Sequence, residues 1–316
     1  MALVGLDVGG SLTKVLVRAN EPNDDTLYDN SALVQFVIKY TAAGARVPAG
    51  WHAQKSPEYH LLQFPTAELE ETVGQITLAA DAQSDAANLP ALPVAATGGG
   101  ALKYKHLLES KLRVAITFVH ELAALSAGWR HLHADKDALP ALVTNVGTGV
   151  SLIRIDKHEF ERVTGSGLGG ATFWALCRRL TKYERFSDIL DGLVLGNPGN
   201  VDTLVGDIYG AEASKEIGMP ADLVAGFLGK LAEDSKDADV AAALLRLMAS
   251  NLGQIAVFQA RSLGLKRVWF VGGFVQHSVV QKAVEQAVSF WAQGTIETRF
   301  GGQETALGAL GALLAR

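Results

Sequence analysis

Cysteine is nearly missing from this chain of 316 residues, with Cys177 standing alone. One thiol cannot close an intramolecular disulfide, so a disulfide-stapled secreted scaffold is excluded and a reducing, cytoplasmic compartment is expected. The thiol itself reads as a small buried hydrophobe on a helix. An excess of positive charge is lacking too. Lys and Arg number 28 against 33 Asp and Glu, for a formal net charge of −5 and a pI near 5.9. Nucleic acid, which calls for a basic face, is therefore not an expected partner. No apolar run approaches the roughly 20 residues of a bilayer span, and Met1 to Gly5 lack the charged start of a signal peptide, so no membrane partner is expected. The eight histidines show no metal-ligand spacing, and His131 and His133 read as solvated. Low-complexity tracts are absent, and a 48% hydrophobic content over this length is enough for two domains with cores of their own.

What the chain has is glycine at the ends of apolar runs. Leu3 to Val8 and Leu12 to Arg18 alternate as strands, and "ALVQFVIKY" and "YHLLQFPT" read as two more strands of a meander. Residues 41 to 58, with Gly44, Pro48, Gly50 and Pro57, read as a loop between them. Residues 66 to 80 have helical spacing at Leu69, Val73, Ile76 and Leu78, and "LPVAATGGG" is a short buried strand that ends in glycines. The second half repeats the plan. "ALVTNVGTGVSLIRID" and "EFERVTGSG" read as strands, followed by a helix over 171–181. "EDSKDAD" is a solvated loop before a long helix over 239–263, whose Leu244, Leu247, Met248, Leu252 and Ile255 form one apolar face, a core or dimer stripe. "RVWFVGG" is a strand leading to a helix over about 277–293, and a helix over 303–315 closes the chain.

Two turns of small residues, "DVGGSLTK" and "NVGTGVS", lie about 140 residues apart. Either alone reads as a hairpin turn needing positive φ. Together they suggest two jaws on one phosphate chain: Gly9, Gly10, Gly147 and Gly149 let backbone N–H groups approach phosphate oxygens. Ser11 and Thr148 add hydroxyl donors and Lys14 adds charge. Asp7, at a strand end beside them, suits Mg²⁺ held through water. No G-x-x-x-x-G-K-[ST] loop occurs. "GSGLGG", 165–170, matches the dinucleotide fingerprint, but it follows a hairpin and lacks the later acidic strand end, so it reads as an anion-binding turn at a helix N-terminus.

The order of "DVGGSLTK", "TGGGALKYK", "HELAALSAG", "NVGTGVS", "RVTGSGLGGATF", "GDIYG", "SNLGQIAVFQAR", "VWFVGG" and "ETALGALGALL" resembles the pantothenate kinases of the eukaryotic and type II bacterial kind over nearly the whole chain. That resemblance implies an α/β fold of the actin, sugar-kinase and Hsp70 superfamily (ASKHA), with two ribonuclease-H-like domains and an interdomain ATP cleft. The expected boundaries are 1–120 plus a C-terminal helix 303–316, and 121–302. The implied activity is ATP- and Mg²⁺-dependent phosphorylation of the primary hydroxyl of pantothenate to 4′-phosphopantothenate, the first step of coenzyme A biosynthesis.

By the same resemblance Glu121 is the catalytic carboxylate, Arg162 holds the substrate carboxylate and Ser151 contacts the pantothenate moiety. Gly167, Gly169 and Gly170 line the ATP phosphates, and Gly272 and Gly273 flank the adenosine. The residue types suit these roles: a carboxylate can orient and deprotonate a hydroxyl, and a guanidinium can grip a carboxylate through two parallel bonds. A homodimer joined through helices such as 239–263 is implied. Acyl-coenzyme A is a feedback inhibitor of many eukaryotic relatives but not of some bacterial ones, and the sequence leaves both open. It departs from the family at His120, where eukaryotic relatives carry aspartate, at "VGGF" in the adenosine turn, and in the last motif, which lacks an aromatic. A sugar or N-acetylhexosamine kinase of the same superfamily and a non-catalytic ATP or acyl-coenzyme A sensor remain as alternatives.

Overall fold

The computed structural model describes residues 4–19, 31–81, 91–133, 139–301 and 306–315. In chain order the elements are β1 (Val4–Val8), β2 (Leu12–Arg18), α1 (Ala32–Thr41), β3 (His52–Lys55), β4 (Tyr59–Pro65), α2 (Leu69–Asp81), β5 (Leu92–Thr97), α3 (Gly99–Leu112), β6 (Val114–Phe118) and α4 (Glu121–Leu132). There follow β7 (Ala141–Val146), β8 (Val150–Ile155), β9 (Phe160–Ser166), α5 (Gly170–Leu180), α6 (Phe186–Leu195), β10 (Thr203–Leu204), α7 (Val205–Tyr209), α8 (Ala211–Glu216) and β11 (Val224–Gly226). The chain ends with α9 (Asp237–Ser262), β12 (Arg267–Val271), α10 (Ser278–Ala292), β13 (Glu297–Phe300) and α11 (Leu307–Leu314).

The two large sheets share one strand order. The first runs β3-β4-β2-β1-β5-β6, with β1 antiparallel to β2 and parallel to β5. The second runs β13-β12-β7-β8-β9, with β7 parallel to β12. Three residues join β7 to β8, too few for a crossover, so that neighbouring pair is antiparallel as well. Setting β3 aside, both sheets place a hairpin on one side of the first strand and two parallel strands on the other. The central strand is buried on both faces, which is why "VGLDV" and "ALVTNV" read as apolar runs.

The chain divides into two compact units, one of Met1–Pro140, Ile155–Glu161 and Glu304–Arg316, the other of Ala141–Arg154 and Arg162–Gln303. The sequence boundary at 120 falls short of this, because α4 packs backbone to backbone on α11. A Cβ on Gly311 would overlap the carbonyl of Ala124, and one on Gly128 the carbonyl of Leu307. The tip of the β8–β9 hairpin also clusters with the first unit.

Other expectations change too. "ALVQFVIKY" is helix α1, not a strand: Leu33, Val34, Phe36 and Val37 are buried at helical spacing while Gln35 is exposed. The meander is thus interrupted, and the loop read over 41–58 contains the short strand β3. Leu3 and residues 303–305 of the closing helix lie outside the described residues. Helix α9 is long and apolar enough to cross a bilayer, contrary to the expectation that no run approaches that. Its Leu244, Met248 and Leu252 are instead buried in the core of the second unit with Val268, Phe270 and Val284. Leu247 and Ile255 of the expected stripe are only partly buried. Cys177 is fully buried on α5, and burial pushes its thiol up to about 12, so it behaves as a hydrophobe.

The α4–α11 crossing gives a stability test. Gly311→Ala should cost about 1–3 kcal/mol by overpacking, more than the gain in helix propensity of up to about 1 kcal/mol. Gly74→Ala on α2, where nothing lies within 4 Å of a new Cβ, should instead stabilise. Urea unfolding of both variants checks the opposite signs.

Candidate active site

In the first unit, the β1–β2 register sets Asp7 opposite Lys14. The Lys14 ammonium stands 3.1 Å from Asp7 Oδ2, with side-chain exposures of 13% and 14%, so water screens the pair only partly. The turn between the strands is tied down from β4's end. Gly9 N–H donates to Leu12 C=O at 3.0 Å and Thr66 N–H to Ser11 C=O at 2.9 Å. The Thr66 hydroxyl donates to Gly9 C=O at 2.9 Å, which leaves the Thr13 hydroxyl, 3.0 Å away, to donate to it. Gly10 and Ser11 are exposed at the tip.

Two glycines crowd the Asp7 carboxylate. Gly98, after β5, has φ +85°, and a Cβ there would sit 2.5 Å from Val8 O and 2.9 Å from Asp7 Oδ1. On α11, a Cβ at Gly308 would sit 2.8 Å from Asp7 Oδ2. Glu121 occupies the first turn of α4, where the helix dipole favours an anion. Its carboxyl is nevertheless raised above the usual range. Desolvation by surrounding protein is the main cause and the negative charge of Asp7 the next, while Lys14 and His120 pull it back. Its side chain stays exposed to solvent, so a reacting group can reach it.

The second unit repeats the backbone device without the charge. Gly272, after β12, has φ +103°, and its Cβ would sit 2.5 Å from Val146 O and 2.8 Å from Asn145 Oδ1, so Asn145 stands where Asp7 stands in the first unit. The 147–149 turn is docked on the start of α5: Gly170 N–H donates to Gly147 C=O at 2.8 Å and Ala171 N–H to Thr148 C=O at 3.2 Å. At Gly169 a Cβ would lie 2.5 Å from Thr148 O, while Gly147 and Gly167 face open space. Gly273 opens a short 3-10 turn over Gly273–Gln276, whose Phe274 is buried, and a Cβ at Gly170 would lie 3.3 Å from its ring. On β9 the Arg162 guanidinium is exposed and donates from Nε to the Ser151 hydroxyl of β8 at 3.2 Å. The guanidinium lies across Gly165, where a Cβ would overlap Nη2.

Among the residues expected from sequence, Asp7, Gly9, Gly10, Ser11, Lys14 and Glu121 thus gather in the first unit. Ser151, Arg162 and the glycines at 147, 149, 167, 169, 170, 272 and 273 belong to the second. The sequence reading missed Thr66, Gly98 and Gly308 as residues of the site, and it read Gly165 only as part of an anion-binding turn. Gly98 had a signal in "TGGG", and Thr66 had none.

The profile of the family described as Fumble matches residues 3–315. The chain belongs to the Fumble family. Among curated relatives it is similar to "Pantothenate kinase 2" of Oryza sativa subsp. japonica, 31% identical over 347 residues that cover 98% of this chain and 38% of that one. It is also similar to "4'-phosphopantetheine phosphatase" of Mus musculus, 30% identical over 349 residues that cover 98% of this chain and 40% of that one. It therefore spans about two fifths of the length of these two relatives. A ROK family glucokinase from Streptomyces griseus, solved with glucose and AMPPNP, has a TM-score of 0.51 at 15% identity over 100% of this chain and 99% of that one. This likeness bears on fold alone: the Fumble chain shares with that glucokinase a mixed α/β fold, built here on two sheets of like strand order.

The electrostatics of Glu121 can be read without any reaction. Carboxyl-carbon NMR titration should find its pKa lower in Asp7→Asn, which removes a repelling charge, and higher in Lys14→Met, which removes an attracting one.

Proposed function

We propose that this Fumble-family chain is an ATP-dependent kinase that phosphorylates the primary hydroxyl of pantothenate, the first step of coenzyme A biosynthesis. The observation that carries the reading is the exposed Glu121 carboxyl, raised by its surroundings, in the company of Asp7 and Lys14 at a glycine turn. A carboxylate with a raised pKa is a better proton acceptor in its ionised form. Glu121 takes the proton of the acceptor hydroxyl as its oxygen bonds to the γ-phosphorus of ATP. The bond from that phosphorus to the bridging oxygen breaks, and its electron pair leaves on ADP.

In the first unit, Lys14 and the N–H groups of the Gly9–Ser11 turn offer donors to phosphate; in the second, the N–H groups of the Gly147–Gly149 turn, the open backbone at Gly167 and the N-terminus of α5 do so. Gly272 and Gly273 form the adenosine turn in this reading. Mg²⁺ fits the first unit: Asp7 is a hard oxygen donor with backbone crowded against both carboxylate oxygens, and a phosphate-bound Mg²⁺ needs only one or two carboxylates. When bound, the ion neutralises charge on the transferring phosphoryl group.

Arg162, oriented by Ser151, supplies a partner for the pantothenate carboxylate, which a glucose acceptor lacks. That favours pantothenate over a sugar acceptor. The two curated relatives carry different activities in their names, and Glu121 is what favours phosphoryl transfer to a hydroxyl. A cytoplasmic home accords with the single buried thiol. A homodimer through α9 would use the edge bearing the exposed Phe258, because Leu244, Met248 and Leu252 are spent in the core.

Coupled ADP-release assays with Mg-ATP test the reading. Pantothenate should stimulate turnover, and Glu121→Gln should lower kcat by about 10²–10⁴. Arg162→Ala should raise the pantothenate KM about 10–100-fold with little change for ATP. Equal use of N-acetylglucosamine, indifferent to Arg162→Ala, overturns it. In the unaltered chain, kcat should fall as pH drops through the raised Glu121 pKa, because only the ionised carboxylate accepts the proton.

A further inference from the structure

Helix α4 carries Glu121 in its first turn and Arg130 in its last. The Arg130 guanidinium reaches the tip of the β8–β9 hairpin and makes two bonds there. Nε donates to Asp156 C=O at 2.8 Å and Nη2 donates to Glu159 C=O at 2.8 Å. These carbonyls flank the two-residue loop Lys157-His158, and Asp156 N–H donates to Glu159 C=O at 2.9 Å across it. One planar fork thus grips both ends of the loop, a geometry that a lysine ammonium cannot match. The same hairpin bears Ser151 on β8 and Arg162 on β9, three residues beyond Glu159.

We propose that Arg130 is a positioning residue for the acceptor: by clasping the hairpin tip it fixes the two strands on which the Ser151–Arg162 pair is built. This rests on the reading of Arg162 as the carboxylate anchor. Among the described residues β9 pairs with β8 alone, so it is an edge strand held by one neighbour. An edge strand ending in a two-residue loop frays easily, and its exposed Arg162 would sample many positions. With the clasp, the tip moves with α4, the helix that bears Glu121. The residues that touch ATP phosphates in this reading lie on other loops, so the clasp should matter for the acceptor and not for the nucleotide.

The test is Arg130→Met, which keeps the apolar stem, beside Arg130→Lys. Two readouts are taken on the full chain: amide hydrogen exchange over 155–161 without substrates, and KM and kcat for pantothenate and for ATP. The expected result is exchange at the tip at least about tenfold faster in Arg130→Met, with ATP KM unchanged. The pantothenate KM should rise about tenfold with a smaller change in kcat, and Arg130→Lys should fall between. Unchanged exchange at 155–161 overturns the clasp, as does an equal rise in both KM values, which would report general loosening. If the unaltered chain shows no pantothenate-stimulated ADP release, the functional reading falls, and the exchange measurement still decides whether Arg130 holds the tip.

Discussion

The crowding around Asp7 is the constraint on which the rest depends. Its carboxylate sits at the end of the central strand, paired with Lys14, and backbone at Gly98 and Gly308 comes so close that neither position has room for a methyl group. Any side chain at 98 would also face a left-handed backbone. Three distant parts of the chain therefore converge on one carboxylate, and its charge then reaches Glu121, where it opposes ionisation. The second unit builds the same approach with Gly272 over Val146 and Asn145. There the side chain is neutral, so one of the two duplicated turns carries an ion pair and the other presents uncharged donors.

The helices that support this site are held by backbone proximity more than by large side chains. Helix α11 lies on β1, where a Cβ at Gly5 would overlap Ala309 O, and it crosses α4 at Gly128 and Gly311. Close-packed crossings leave few alternative positions, since even one methyl group must displace a main chain. The N-terminus of α4, and Glu121 with it, is thereby fixed with respect to β1 and Asp7. At the far end of α4, Arg130 holds the hairpin tip.

Much of this was legible in the sequence where local pattern and local structure agree. The β1–β2 turn, the glycine-ended strand β5, the hairpin of β7 and β8 and the long helix α9 all lie close to where periodicity and glycine put them. Helix α1 was not, because Leu33, Val34, Phe36 and Val37 form a nearly continuous apolar run that a buried strand would share. Strands β6 and β13 are short edge strands with half their residues or more at least partly exposed, so they carry no alternation strong enough to see. The Asp7–Lys14 pair was half visible, since a tight hairpin turn sets positions 7 and 14 opposite each other. Contacts of long range were not: nothing in "LGALGALL" says that Gly308 meets Asp7, and Thr66 looks like any residue after a strand. The roles proposed for Glu121 and Arg162 come from the resemblance in motif order, since local pattern alone offers only a helix start and an exposed charge.

The most direct measurement is ³¹P NMR of the purified chain incubated with Mg-ATP and an equal amount of pantothenate. The expected spectrum loses the γ-phosphate resonance and gains, in equal amount, a phosphomonoester whose coupling to the adjacent methylene protons assigns it to the primary alcohol. ADP with inorganic phosphate and no phosphomonoester, or an unchanged ATP spectrum, would contradict the assignment of Glu121 as the proton acceptor for a pantothenate hydroxyl.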